Sequence, residues 1–171
     1  MIGLDVDPAT PAFVAENAAR AAAGRSGVEF VQGDVNDPAL GIGPFDIVFC
    51  AGVLYHVPDP VFTLRRLRAL CGKTLILGTT AFPEESTPQT AVFLPGLDAS
   101  ARERLTYPSH GVKRGLDSEF EPEKGYGNWF WGLSPSAVLA MLRVAGFDVV
   151  EHHPYPRFLC AVATARPDAP R

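Results

Sequence analysis

Apolar residues in this chain fall into short unbroken runs that alternate with segments patterned at helical spacing. Ile2-Gly3-Leu4-Asp5, Val28 to Gly33 and Phe45 to Ala51 read as three strands. The third is nearly all apolar, which predicts a central strand covered on both faces. Between the first two, Asp7 and Pro8 give a cap-plus-proline helix start, an Ala-rich stretch follows to Ala23, and Gly24 supplies the stop. Asn36, Asp37, Pro38, Gly41, Gly43 and Pro44 make the next stretch a loop. Asp59 and Pro60 repeat the helix-start signal, with Val61, Leu64, Leu67 and Leu70 inward and Gly72 as the stop. Lys73 to Thr79 is the next strand. Ser134 and Pro135 open a third helix with Val138, Met141, Leu142 and Ala145 inward, closed by Gly146.

The chain then ends in two strands, Phe147 to Glu151 and Arg157 to Thr164. The Pro-containing connection is too short for a helical crossover, so the pair must be antiparallel. The segment 81–133 breaks the α/β rhythm. It is rich in proline and glycine, carries the aromatic residues Tyr126, Trp129, Phe130 and Trp131, and offers a short helix over Asp98 to Leu105. A segment that long inside a compact domain reads as a lid or substrate-side insertion. No linker or repeat divides the chain, so residues 1–171 are expected to form one domain.

Composition narrows the function. With 171 residues, 47% apolar and 20% charged, the chain is globular, and its net charge of −4 gives no general attraction to nucleic acid or anionic lipid. Arg65, Arg66 and Arg68 cluster on one predicted helix and read as a solvated face. Cys50, Cys71 and Cys160 are odd in number and without a close pair, which indicates buried thiols in a reducing compartment. No leader and no membrane-length apolar run is present, so the expected location is cytoplasmic. His152 and His153 are adjacent on a strand and point to opposite faces, so no metal site is expected from them.

The residues that carry chemistry sit at strand ends. Asp5 and Asp34 each follow a β-like run, where an acid lies at the ligand crevice of a parallel α/β sheet and suits a ribose diol or an adenine. Taken singly, Asp5 reads equally as a strand-end acid that caps the turn, and Asp34 as an Asx-turn residue. Tyr55 and His56 lie just beyond the third strand. His56 has the pKa range of a general base, or else orders its loop by bonding backbone, and Tyr55 fills the loop's core.

Gly3-Leu4-Asp5, Gly33-Asp34-Val35, Phe45-Asp46-Ile47-Val48 and Val53-Leu54-Tyr55-His56-Val57-Pro58-Asp59-Pro60, followed by a terminal hairpin, resemble the class I S-adenosylmethionine-dependent methyltransferases in order and spacing. Gly52 to His56, with Asn128-Trp129-Phe130 before a Ser-Pro-Ser helix start, also resembles the branch that contains the tRNA wobble-uridine carboxymethyltransferases. The resemblance implies an α/β fold, a Rossmann-like mostly parallel sheet with a terminal antiparallel hairpin, and S-adenosylmethionine or a carboxylated variant of it as cofactor. It further implies that Asp5 accepts from the ribose hydroxyls and that Asp34 accepts from the adenine amino group. Val35 would offer its amide to a ring nitrogen, Val6 would pack on the adenine, and Cys50, Ala51 and Gly52 would line the methionine portion. His56 and Tyr55 become the catalytic candidates, and His110, Tyr126, Trp129 and Trp131 the substrate-side ones.

One departure is plain. The family's Gly-rich turn would precede Ile2 and is absent, while Gly41-Ile42-Gly43 precedes a strand instead of following one. The expectation is an N-terminally incomplete domain, from an incomplete gene model or a miscalled start. It would lack the first strand and helix, about 30 residues, and so have two apolar strand edges unpaired and impaired cofactor binding. Two other functions stay open: a nicotinamide-dependent oxidoreductase using Asp5 on a ribose, and a noncatalytic methyltransferase-like subunit that pairs its open edge, as in a homodimer. A small-molecule acceptor is the expected substrate; RNA enters only through the branch resemblance.

Overall fold

A computed structural model of the chain describes residues 1–6, 15, 18–20, 22–24, 29–84, 87–105 and 119–167. These fall into two compact units, Met1–Ile42 and Gly43–Arg171.

In the first unit, β1 (Ile2–Asp5) and β2 (Glu29–Gln32) pair in parallel. Parallel neighbours need a crossover between them, and the helical residues 18–20 belong to it. Gly24 has φ of 58°, the left-handed conformation of a helix stop, as its position predicted. The Asp7-Pro8 helix start lies outside the described residues.

The second unit holds a four-stranded sheet in the order β3-β4-β8-β7, formed by β3 (Phe45–Ala51), β4 (Cys71–Thr80), β7 (Phe147–Tyr155) and β8 (Phe158–Ala165). β3 and β4 are parallel, whereas β8 runs antiparallel to both β4 and β7. Helix α1 (Pro60–Leu70) provides the β3–β4 crossover. Its start is the predicted one: Phe62 N donates to the Asp59 carboxylate at 2.9 Å, and Pro60 occupies a first-turn position where no amide hydrogen is needed. Helix α2 (Ala99–Leu105) begins where Asp98 accepts from Ala101 N at 2.7 Å. Helix α3 (Pro135–Val144) begins on the Ser134 hydroxyl, which accepts from Ala137 N. Within the 81–133 segment, β5 (Ala91–Phe93) and β6 (Trp131–Leu133) form a small antiparallel ladder that the sequence reading did not contain. At its centre Phe82 lies against Gly132, where an added Cβ would come within 2.4 Å of the ring.

Strand alternation decides where the core sits. Leu75, Leu77 and Thr79 of β4 and Leu159, Ala161 and Ala163 of β8 are buried on one face of the sheet. Against that sheet pack α1 and α3, which bury Leu64, Leu67, Leu70, Val138 and Leu142. These inward positions match the helical spacing read from sequence.

Three expectations are corrected. β3 is not a covered central strand: it stands at the edge of its sheet, with Ile47 63% and Phe49 71% exposed. Gly72 is not a helix stop, because α1 gives way at Cys71 directly to β4, and Gly72 lies in that strand against the Phe45 carbonyl. Arg68 does not belong to a solvated face. It is 4% exposed and donates to the carbonyls of Gly146 (3.2 Å), Cys71 (3.2 Å) and Arg166. The guanidinium satisfies backbone oxygens where α1, β4, β7 and β8 meet, so this buried cation has three carbonyl acceptors.

Candidate functional site

The two acids singled out from sequence come from neighbouring strand ends. Asp5 closes β1 in register with Gln32, and Gly33 N donates to the Asp5 carbonyl at 2.9 Å. Asp34 therefore follows one residue beyond the last inter-strand bond, at the same carboxyl end of the parallel pair. Asp34 does form the Asx turn foreseen as its simplest role: its carboxylate accepts from Asn36 N at 2.8 Å. An ionised carboxylate has about four acceptor directions, so turn-making and ligand-binding are compatible in one side chain. Val35 is half-buried in that turn, and Val6 is 43% exposed just past Asp5. All four residues belong to the first unit.

In the second unit the candidates gather past the carboxyl end of β3. Cys50 is buried, and burial pushes its thiol up to about 12, so it stays protonated and unreactive at physiological pH. Gly52 turns the chain out of the sheet with φ of 75°, a conformation that disfavours any side chain. Leu54 and Val57, both buried, then pin a 3-10 turn over Leu54–His56. Their spacing of three fits the three-residue turn and leaves Tyr55 and His56 half-buried on the opposite side.

The chain from 128 to 131 is stapled to this turn. Phe130 N donates to the Tyr55 carbonyl at 2.9 Å, the Trp131 indole donates to the Pro58 carbonyl at 3.0 Å, and His56 Nδ1 meets the Asn128 carbonyl at 2.8 Å. The rings of Tyr55 and Trp129 lie 4.3 Å apart, those of Tyr55 and His56 4.2 Å, and Trp129 meets His56 edge-on at 5.5 Å. Burial holds the His56 pKa below the ordinary histidine value, and the bond to Asn128 opposes that only in part. The imidazole is thus neutral near pH 7, the state a general base requires.

Of the aromatic substrate-side candidates, Trp129 belongs to this cluster, and Trp131 stacks on Phe93 at 5.0 Å. Tyr126 sits in the 3-10 segment Pro122–Gly127. His110 lies outside the described residues. Asn128 was missed. It is 4% exposed, and its one available signal was its place immediately before the aromatic run. Among the described residues no three His, Cys, Asp or Glu side chains are grouped to hold a metal ion, and no helix is long and apolar enough to cross a membrane.

Residues 1–73 match a family model described as a methyltransferase domain. The chain resembles methyltransferases over that segment. It is 40% identical to the tRNA U34 carboxymethyltransferase of Nautilia profundicola over 47 residues, 23% of this chain and 16% of that protein. Its fold resembles the N-terminal domain of EvdMO1, solved in the presence of SAH and D-fucose, with a TM-score of 0.59 and 19% identity over 96% of this chain and 65% of that one. The magnesium protoporphyrin IX methyltransferase of Synechocystis PCC 6803 with bound SAH gives 0.57 and 18% over 96% and 63%. The chain spans less than two thirds of the length of these relatives. The expected α/β class with a terminal antiparallel hairpin is the one observed, and the sequence likeness to methyltransferases extends over residues 1–73.

Proposed function

We propose that this chain performs S-adenosylmethionine-dependent methyl transfer to a small-molecule acceptor that carries an ionisable hydroxyl or amine. The observation that carries the reading is the pair of carboxylates at the adjacent ends of β1 and β2, joined through the Gly33–Asp5 backbone bond. In the first unit, Asp5 accepts from the two ribose hydroxyls, Asp34 from the adenine amino group, Val35 offers its amide to the ring, and Val6 covers the base. In the second unit, taken by itself, Cys50, Ala51 and Gly52 lead into the turn that carries His56, the group that withdraws the acceptor's proton. The similarity of residues 1–73 to methyltransferase domains and the SAH-bound relatives of the same fold support this choice over hydride transfer. Small-molecule substrate is preferred to RNA because a net charge of −4 supplies no counterion-release attraction to a phosphate backbone.

Calorimetric titration with S-adenosylhomocysteine and, separately, with NAD tests this reading. Saturable heat is expected from the first and none from the second. Binding of NAD without binding of S-adenosylhomocysteine would transfer the assignment to an oxidoreductase.

A further inference from the structure

We infer that Asn128 is the positioning residue that fixes the proton of His56 on Nδ1 and so aims the Nε2 lone pair outward for proton abstraction. This rests on the general-base reading of His56. A carbonyl oxygen accepts and never donates, so the 2.8 Å approach of His56 Nδ1 to the Asn128 carbonyl puts the ring hydrogen on Nδ1. In the neutral imidazole that leaves Nε2 as the basic atom.

What holds the carbonyl in place is the side chain of the same residue. Asn128 Oδ1 accepts from Glu121 N at 2.9 Å, while Nδ2 donates to the carbonyls of Glu121 (2.8 Å) and Gly125 (3.0 Å). The amide orientation is determined by these partners, since a flipped amide would set its oxygen against two carbonyls. Asn128 is 4% exposed, so water does not replace those bonds when they are lost. The loop 121–128 is thereby closed on itself, with Gly125 taking φ of 49° at its kink, and the Asn128 carbonyl leaves it toward His56. The Phe130–Tyr55 and Trp131–Pro58 bonds hold the next three residues, which prevents the carbonyl from rotating away.

The experiment is nitrogen-15 NMR of the full chain with labelled histidine, read at a pH where His56 is neutral. The His56 signals are assigned by their disappearance in His56→Gln. Wild type is expected to show His56 with hydrogen on Nδ1. In Asn128→Ala, and in Asn128→Asp, which sets a carboxylate oxygen against the Glu121 and Gly125 carbonyls, the major form is expected to become Nε2–H. The exposed His152 and His153 serve as unchanged controls. Hydrogen on Nε2 in the wild type would overturn the inference, and so would folded Asn128 variants with the wild-type tautomer. Should neither variant fold, the wild-type spectrum alone decides. Failure of the methyltransferase reading would appear separately, as absent S-adenosylhomocysteine binding, and would leave the tautomer result standing.

Discussion

Replacing His56 with glutamine is expected to slow methyl transfer by about 10²–10⁴-fold, the usual contribution of one positioned general base. Affinity for S-adenosylhomocysteine should be unchanged, because the role assigned to His56 concerns the acceptor. The wild-type rate should fall with acidity as His56 gains a proton. Because burial lowers its pKa, that acid limb lies below the ordinary histidine value, and the neutral form predominates near pH 7. Glutamine cannot titrate, so the limb should vanish along with the rate. A pH–rate profile of both proteins checks this. A variant that keeps the wild-type rate would reduce His56 to the loop-ordering role its bond to Asn128 already provides.

Arg68→Met is expected to cost about 2–4 kcal/mol of stability, since a buried charged donor to several carbonyls is removed and those oxygens stay out of water. For a chain of this size that is a fall in melting temperature of roughly 5–15 °C. The Gly146, Cys71 and Arg166 carbonyls lie where β7 and β4 begin and β8 ends, at the opposite end of the sheet from Gly52. The loss should therefore appear in urea unfolding as a lower midpoint, with the His56 tautomer unaltered. An unchanged midpoint would mean that the carbonyls find other donors.

The contrast between Arg68 and Asp59 shows what could be read without coordinates. Asp59-Pro60 and Ser134-Pro135 announce helix starts because the cap acts on an amide two or three residues away, and such local chemistry is written in the adjacent sequence. The terminal hairpin was legible for the same reason, since its connection is short. Arg68 was misread by residue type. Its spacing from Leu64 and Val61 puts it on the buried stripe of α1, and that signal was present, but its partners are Gly146 and Arg166, far along the chain. The link between His56 and Asn128 is hidden in the same way, across 72 residues. So is the β5–β6 ladder, whose strands are three residues each and too short to show a period. For Asp34 the structure shows the local role, the Asx turn to Asn36 N. The Asx turn was legible in the adjacent sequence, and the proposed ligand role rested on the strand-end position of the acid and on the order of the neighbouring blocks.

Everything assigned to the first unit reduces to two strand-tip carboxylates gripping one adenosyl group, and the direct measurement is its affinity with each charge removed in turn. Asparagine is the right replacement, because at position 34 its side-chain oxygen can still accept from Asn36 N and keep the turn. Asp5→Asn and Asp34→Asn should each weaken S-adenosylhomocysteine binding about 10–150-fold, the value of a hydrogen bond to a charged acceptor. Wild-type affinity in both variants would show that these acids serve only their own turns.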